Sequence, residues 1–159
     1  MKGSVILRKF QDFDLENLHD YRNDSSCSQY QRWEETTGAD LEYWIDVQKN
    51  RDLDKDKSIS LAIAHDQTNK LIGDIYLAIK DQTITLGYTI SPKFQRQGYA
   101  YHILSNLIPQ LFNRYEGYEI VCLIHPDNIA SRKLIEKLSF EDEGYVPQIE
   151  SQIYSLRLK

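Results

Sequence analysis

The sequence has only two cysteines in 159 residues, too few for a disulfide framework. Cys122 lies inside the apolar run 120–124, so it is expected to be a core residue and not a nucleophile. No run of eighteen apolar residues is present, and the first residues lack the apolar core of a signal peptide. We therefore expect one cytoplasmic domain over residues 1–159, with no membrane partner.

Excess positive charge is also missing. The formal net charge is −5, which argues against nucleic acid as a main partner. No Gly-Lys-Ser/Thr loop occurs, so a P-loop nucleotide kinase is not indicated. The chain contains no internal repeat, low-complexity tract or linker, and no metal is expected.

The most informative feature is the loop Gln95-Arg96-Gln97-Gly98-Tyr99-Ala100. A β-branched strand pattern ending at Ile90 precedes it, and an apolar stripe with helical spacing follows it. The stripe consists of Ala100, Ile103, Leu104, Leu107, Ile108, Leu111 and Phe112. A strand, a glycine loop and a helix start in this order leave backbone N–H groups unpaired at the positive end of the helix dipole. The pattern predicts a pyrophosphate-binding loop, in which Gly98 allows close approach of the ligand.

The remaining periodicities predict a mixed α/β (α+β) fold with a central, mostly antiparallel sheet flanked by helices. Expected strands are 5–9, 58–65, 71–79, 83–90 and 118–124, with closing strands after Phe140, and expected helices are 12–22, 41–50, a long one from Ala100 and one from 127 or 128 to 138. Pro109 falls inside the long helix and is expected to bend it without ending it, because Leu111 and Phe112 keep the stripe in phase.

These residues resemble a known superfamily. Gln95–Ala100 resembles the acetyl-CoA-binding motif of the GNAT N-acetyltransferases, and residues 125–140 resemble the segment Asn-x-x-Ser-x-x-x-x-x-x-x-Gly-Phe that follows it there. Ile6-Leu7-Arg8 and Tyr21-Arg22-Asn23-Asp24 are similar to the branch that includes ribosomal-protein N-terminal acetyltransferases. The similarity spans nearly the whole chain.

The resemblance implies a role for each matching position. The backbone amides of Gln95, Arg96, Gln97, Gly98, Tyr99 and Ala100 would bind the pyrophosphate of acetyl-CoA, and the strand edge Tyr88, Thr89 and Ile90 would pair with its pantetheine arm. Asn128 would contact that arm near the thioester. Ser131 would lie near the sulfur and protonate the leaving thiolate as a general acid.

Each of these roles has a plainer alternative. Asn128 can cap the helix that follows, and both roles can hold at once. Ser131 can be a small residue packed where the cofactor passes. His125 is a candidate base at the end of a strand, but a capping or surface histidine explains it as well.

Three positions depart from the family pattern. Ser139 replaces the glycine before Phe140, so the helix is expected to end without a glycine cap. Ile135 stands where some relatives place a tyrosine general acid, and Thr85 stands where members of the branch often carry a glutamate. The general base is therefore unidentified, and a non-catalytic CoA-binding sensor or scaffold of the same fold is the alternative function.

The acceptor is expected to be a cationic primary amine, either a small molecule or a protein N-terminus. Acidic residues crowd the first third of the chain together with the aromatic residues Tyr30, Trp33, Tyr43 and Trp44, and Tyr30 and Trp33 are the predicted acceptor-site residues. The acidic residues are Asp12, Asp14, Glu16, Asp20, Asp24, Glu34, Glu35, Asp40 and Glu42. The oligomeric state stays open, with a homodimer among the options.

Overall fold

The computed structural model describes residues 4–31, 33 and 36–158, and Glu34 and Glu35 of the predicted acidic region lie outside these residues. In this part of the chain seven strands form one sheet in the order β1-β2-β3-β4-β5-β7-β6. The strands are β1 (Val5–Arg8), β2 (Ser58–His65), β3 (Leu71–Lys80), β4 (Thr83–Ile90), β5 (Glu119–Ile124), β6 (Glu141–Val146) and β7 (Ser151–Arg157). Neighbouring strands are antiparallel except β4 and β5, which are parallel. The predicted mixed, mostly antiparallel architecture is confirmed.

Helices cover both faces of this sheet. They are α1 (Leu15–Arg22), α2 (Ser25–Ser28), α3 (Gly38–Lys49), α4 (Leu53–Asp56), α5 (Tyr99–Arg114) and α6 (Ile129–Lys137). The helix predicted over 12–22 begins as a 3-10 turn, Asp12–Asp14, before α1. α3 starts three residues before the predicted 41–50 because the Thr37 hydroxyl accepts a hydrogen bond from the Asp40 N–H at 3.1 Å.

The short helices α2 and α4 were not predicted. Each is four residues long, so neither contains enough turns to show an apolar period. Each is started by an aspartate: Asp24 accepts hydrogen bonds from two backbone amides of α2, and Asp52 does the same for α4. Capping is the only local signal that these two turns carry.

α5 is continuous from Tyr99 to Arg114 across Pro109. The prediction that the helix continues through the proline is confirmed, since Leu111 and Phe112 stay buried on the same stripe as Leu104. The bend itself stays a prediction. No helix in the described ranges is both long and apolar enough to cross a membrane.

The turn that ends α6 contains Ser139, whose backbone has the left-handed conformation that glycine usually adopts at a helix end. Ser139 has a φ of 73°, in the left-handed region, and the Phe140 N–H donates to the Ile135 carbonyl at 3.2 Å. This is the hydrogen bond of a helix end that a glycine usually closes. The predicted departure at Ser139 is therefore a left-handed serine cap, which costs about 1 kcal/mol relative to glycine.

The two sheet faces have separate cores. Ile75, Leu77, Ile84 and Leu86 belong to the larger cluster together with the buried stripe of α5. Ala62 and Leu71 belong to a second cluster with α1 and α3, which contains Leu18, Leu41 and Ile45. Because side chains alternate along a strand, Asp74 of β3 faces this second cluster and not α5.

Gly73 marks a close approach between β3 and the end of β4. A Cβ placed there would lie 2.0 Å from the carbonyl oxygen of Thr89, whereas a Cβ at Gly87 would meet nothing closer than 3.7 Å. We predict that Gly73→Ala lowers the stability by about 3 kcal/mol, the upper end of typical overpacking costs, or about 6–12 °C in Tm.

Gly87→Ala is the matched control, since it adds the same methyl group to the neighbouring strand. Thermal unfolding followed by circular dichroism measures both variants. A Gly73→Ala protein as stable as Gly87→Ala would contradict the close approach of β3 and β4.

Candidate functional site

A cleft opens where β4 and β5 separate. The two strands pair over only three residues, Thr83 to Thr85 with Glu119 to Val121, and beyond them β4 has no strand partner on that side among the described residues. The cleft is lined by Tyr30, Gln31, Leu86, Gly87, Tyr88, Cys122, Leu123, Ile124, His125, Asn128 and Ser131. The separation leaves the main-chain edge of Tyr88–Ile90 facing this cleft, as an extended ligand would require.

Two hydroxyl groups meet inside the cleft. The Tyr88 hydroxyl, from β4, donates a hydrogen bond to the Ser131 Oγ, from the first turn of α6, at 2.9 Å. The Asn128 Oδ1 accepts a hydrogen bond from the Ser131 N–H at 3.3 Å, so Asn128 does cap α6. No acceptor for the Asn128 Nδ2 lies among the described residues, which leaves its amide available to a ligand. Capping and ligand binding can thus coexist at Asn128.

His125 stacks on Tyr30 at the mouth of the cleft, with 4.9 Å between ring centroids. Its Nδ1 accepts a hydrogen bond from the Asp127 N–H at 3.1 Å, which places the proton of the neutral ring on Nε2. In this tautomer Nε2 can donate but cannot take a proton. The geometry therefore argues against His125 as the general base.

The loop before α5 leaves several amide donors without acceptors. Arg96 and Gly98 both have left-handed φ angles, 63° and 80°, and the first hydrogen bond of α5 runs from the His102 N–H to the Gly98 carbonyl at 3.0 Å. No described residue accepts from the backbone N–H of Arg96, Gln97, Gly98 or Ala100. A Cβ at Gly98 would meet no atom within 4 Å. The loop is an open concave set of donors at a helix N-terminus, as anion binding requires.

The other predicted loop and strand residues have more specific surroundings. The Gln95 side chain donates to the Ile90 carbonyl at 3.0 Å, which ties the loop to the end of β4. The Tyr99 side chain is buried in the larger core, and Thr89 and Ile90 are buried as well. Only the main chain of these residues is therefore placed to contact a ligand.

The predicted acceptor residues separate into two places. Tyr30 lines the cleft, whereas Trp33 lies with Trp44 on either side of the Arg22 guanidinium, each 4.6 Å from its centre. The aromatic faces expected to hold a cationic amine are thus occupied by a cation of the protein itself. Tyr43 points to solvent from α3, 73% exposed. Of the two predicted acceptor-site residues, only Tyr30 lines the cleft, whereas Trp33 packs with Trp44 against Arg22, and a role of Tyr30 in acceptor binding stays a prediction.

Sequence reasoning missed the buried charges beneath this part of the site. Arg22 and Asp74 are almost fully buried, and the Tyr21 hydroxyl donates a hydrogen bond to the Asp74 carboxylate. Burial raises the pKa of Asp74, although the nearby Arg22 opposes the shift. The one sequence signal that could have predicted this buried charge was Asp74, which lies inside the apolar run of β3.

The cysteines do not have the properties of nucleophiles. Both are buried, and burial is the main cause that raises the pKa of Cys27 and of Cys122 to about 12. Each thiol therefore stays protonated near neutral pH. This agrees with the prediction that Cys122 is a core residue. No group of three or more metal-binding side chains occurs in the described ranges.

A larger groove, of about 1350 Å³, lies away from these residues. It is formed by the C-terminal half of α5 and by β5, β6 and β7, with the carboxylates of Glu116, Glu119, Glu141 and Glu143 among its lining residues. None of the predicted site residues reaches it. The cleft is the better candidate site despite its smaller size, because it combines an open strand edge, two hydroxyls and the adjacent donor loop.

Comparison with known proteins agrees with this geometry. The family model described as "Acetyltransferase (GNAT) domain" matches residues 4–141. The chain has a mixed α/β fold with a cleft between two parallel strands, and it belongs to the GNAT acetyltransferase family.

Three similar proteins illustrate the match. The uncharacterized N-acetyltransferase YoaA of Bacillus subtilis is 28% identical over 148 residues, covering 91% of this chain and 83% of that protein. The structure of RimL, a ribosomal L7/L12 alpha-N-protein acetyltransferase, superposes with a TM-score of 0.84 at 20% identity, covering 98% of this chain and 91% of that one. The structure of the microcin C7 self immunity acetyltransferase MccE, solved with acetyl-CoA and AMP, superposes with a TM-score of 0.82 at 20% identity. The match covers 98% of this chain and 93% of that one.

Proposed function

We propose that this protein is an N-acetyltransferase that transfers an acetyl group from acetyl-CoA to a primary amine, either a protein α-amino terminus or a small-molecule amine of low pKa. The observation that carries the proposal is the junction of two features. A loop of free amide donors at the start of α5 adjoins a cleft that presents the open edge of β4 together with Ser131 and Asn128.

The residues present fit acetyl-CoA. The amides of Arg96, Gln97 and Gly98 would hold the pyrophosphate, and the edge of Tyr88–Ile90 would pair with the pantetheine amides. The free amide of Asn128 would hold the same arm near the thioester. MccE, which was solved with acetyl-CoA, has the same fold, which supports this assignment.

The reaction joins the amine nitrogen to the acetyl carbon, breaks the carbon–sulfur bond and moves one proton from nitrogen to sulfur. The Ser131 hydroxyl would donate to the sulfur as negative charge develops on it. No carboxylate lies among the residues lining the described part of the cleft, and the tautomer of His125 does not provide a base. The amine must therefore lose its proton without a strong protein base.

This condition favours amines that are partly neutral already. An α-amino group, with a pKa near 8, is about one-tenth neutral at pH 7, whereas a lysine near 10.4 is neutral about four times in ten thousand. The corresponding costs are about 1.4 and about 4.6 kcal/mol. RimL, an alpha-N-protein acetyltransferase, has the same fold, which supports an N-terminus as acceptor.

A non-catalytic CoA-binding protein is the second candidate. The observation that favours it is the absence of a carboxylate base from the described cleft, together with Ile135, which is fully buried where some relatives place a tyrosine. Such a protein would bind CoA at the same loop but would show no turnover, so an acetylation assay separates the two functions.

The test of CoA binding is Gly98→Ala. We predict at least a tenfold weaker affinity for CoA by calorimetry, because the new methyl group would project into the open space in front of the loop amides. Gly117→Ala is the matched control: its φ of +82° and empty surroundings resemble those of Gly98, but it lies in the turn after α5. Both variants should lose about 1–2 kcal/mol of stability. Equal CoA affinity in the two variants would contradict the loop assignment.

The test of the general acid is Ser131→Ala. We predict a kcat about ten- to a thousandfold lower, with a smaller change in the KM for acetyl-CoA, because the hydroxyl acts on the leaving thiolate and contributes little to binding. Ser105→Ala, which removes a buried hydroxyl without a partner among the described residues, should leave kcat unchanged. An unchanged single-turnover rate in Ser131→Ala would show that Ser131 is only a packing residue.

The test of the acceptor is turnover of acetyl-CoA against a panel of amines. Free N-terminal peptides and small amines of low pKa should react faster than internal-lysine peptides at pH 7, and the rate should rise with pH through the titration of the amine itself. Faster acetylation of internal lysines would show that the protein contains a base, and absence of turnover with every amine would favour the CoA-binding alternative.

A further inference from the structure

The cleft contains one hydroxyl group that none of the assigned roles uses. Tyr88 was expected to contribute its main chain to cofactor binding, but its half-buried side chain also enters the cleft and reaches Ser131. Ile135, at the position of the family's helix tyrosine, is fully buried and has no hydroxyl. A tyrosine hydroxyl is therefore supplied to α6 by the strand β4.

The direction of the Tyr88–Ser131 hydrogen bond follows from acidity. Burial raises the pKa of Tyr88 to about 12, so the phenol keeps its proton throughout the neutral range. A phenol is a better donor than an aliphatic hydroxyl, and it therefore donates to Ser131 Oγ over 2.9 Å. Since Ser131 accepts from Tyr88, its own hydrogen must point away from Tyr88 and toward another acceptor.

No described residue accepts a hydrogen bond from the Ser131 Oγ. The Asn128 Oδ1 receives the Ser131 backbone N–H at 3.3 Å, in a capping geometry that faces the helix terminus. With Tyr88 on one side and the Asn128 cap on the other, the Ser131 hydroxyl is directed into the cleft. Hydrogen bonds arranged in series polarise one another, so the donation from Tyr88 also makes the Ser131 hydrogen a stronger donor.

We infer that Tyr88 is a positioning residue for the transfer reaction: its hydroxyl orients and polarises the Ser131 hydroxyl toward the leaving sulfur. This inference rests on the proposed acetyltransferase function. Tyr88 does not give up its proton, because the pKa of the phenol lies far above the usual value of about 8.5 for a thiol. The sulfur takes its proton from the Ser131 hydroxyl, the proton lost by the amine restores that hydroxyl, and Tyr88 keeps its own proton throughout.

The experiment is a double-mutant cycle on acetylation kinetics, with Tyr88→Phe, Ser131→Ala and the double variant. Tyr88→Phe should lower kcat about tenfold and leave the KM for acetyl-CoA within about twofold, since the ring and the main chain of β4 remain. In the Ser131→Ala background the same substitution should change kcat less than about twofold, because Tyr88 acts only through Ser131.

Tyr115→Phe is the matched control. Tyr115 also has a pKa raised to about 12, and its hydroxyl donates to Asp54 at 2.6 Å, but it lies at the end of α5 and does not line the cleft. It should lose as much thermal stability as Tyr88→Phe and retain full kcat. If Tyr88 had only a structural role, the fold decrease in kcat caused by Tyr88→Phe would multiply with the decrease caused by Ser131→Ala.

The outcomes separate this inference from the proposed function. An active parent enzyme with an unchanged kcat in Tyr88→Phe overturns the inference alone, and so does a tenfold further loss in the double variant. An inactive parent that binds CoA overturns the acetyltransferase proposal and removes the leaving thiolate that Tyr88 would serve. If Tyr88→Phe fails to fold, a protein with 3-fluorotyrosine at position 88 provides the test. Its phenol is a stronger hydrogen-bond donor, so kcat should rise if the inference is correct. If Tyr88 only packs, kcat should be unchanged.

Discussion

The separation of β4 from β5 is the constraint on which the rest of the molecule depends. Parallel neighbours need a long crossover connection, and here it is supplied by α5. Because pairing stops after Thr85 and Val121, the rest of β4 has no strand partner on that side among the described residues, although the Ile90 carbonyl accepts from Gln95. The same crossover places the loop before α5, where the amides of Arg96, Gln97 and Gly98 have no acceptor among the described residues, directly after the open strand edge. The donor loop and the cleft are therefore consequences of one topological feature.

The chain stabilises this opening with contacts that are not themselves part of the cleft. Gln95 ties the loop to the Ile90 carbonyl, and Asn128 fixes the start of α6. Farther along α6, the Arg132 Nε donates to the Tyr154 hydroxyl at 2.9 Å, and Tyr154 in turn donates to Glu136 at 2.9 Å. These contacts hold α6 against β7, so the first turn of α6 and the edge of β4 keep a fixed distance across the gap.

Charged residues are buried beside the aromatic residues that were predicted to hold the acceptor. Arg22 lies against two indole rings and near enough to Asp74 to affect its pKa. Each charge also has a local partner: Asp74 accepts from the Tyr21 hydroxyl, and Arg22 lies over the rings of Trp33 and Trp44. The acidic first third is thus partly used for internal structure: Asp14 pairs with Arg8 at 2.8 Å, and Asp24 caps α2. Fewer of these acidic and aromatic side chains are therefore free to contact an acceptor than their count in the sequence indicated.

Local patterns determined much of this protein. The alternating and helical periodicities located β1 to β5 and the longer helices, whereas β6 and β7 were expected only as closing strands after Phe140. The order of strand, glycine loop and helix located the donor loop, and the segment from Asn128 to Ser131 located the opposite wall of the cleft. These features involve neighbours along the chain, and their physical causes, side-chain periodicity, capping and the glycine conformation at Gly98, act over a few residues. Helix starts differed from prediction where a cap such as Thr37 extended the helix beyond its apolar stripe.

Only the tertiary structure decided which side chains meet. Tyr88 and Ser131 are 43 residues apart, and their hydroxyls come together because β4 and α6 face each other across the gap between two strands. Trp33 and Trp44 pack against a buried guanidinium from α1, which occupies the ring faces that were expected to contact the acceptor. The tautomer of His125 is set by the hydrogen bond from the Asp127 amide. Composition and spacing carry no information on such pairings, since a side chain's partner is fixed by packing between elements that are distant in the chain.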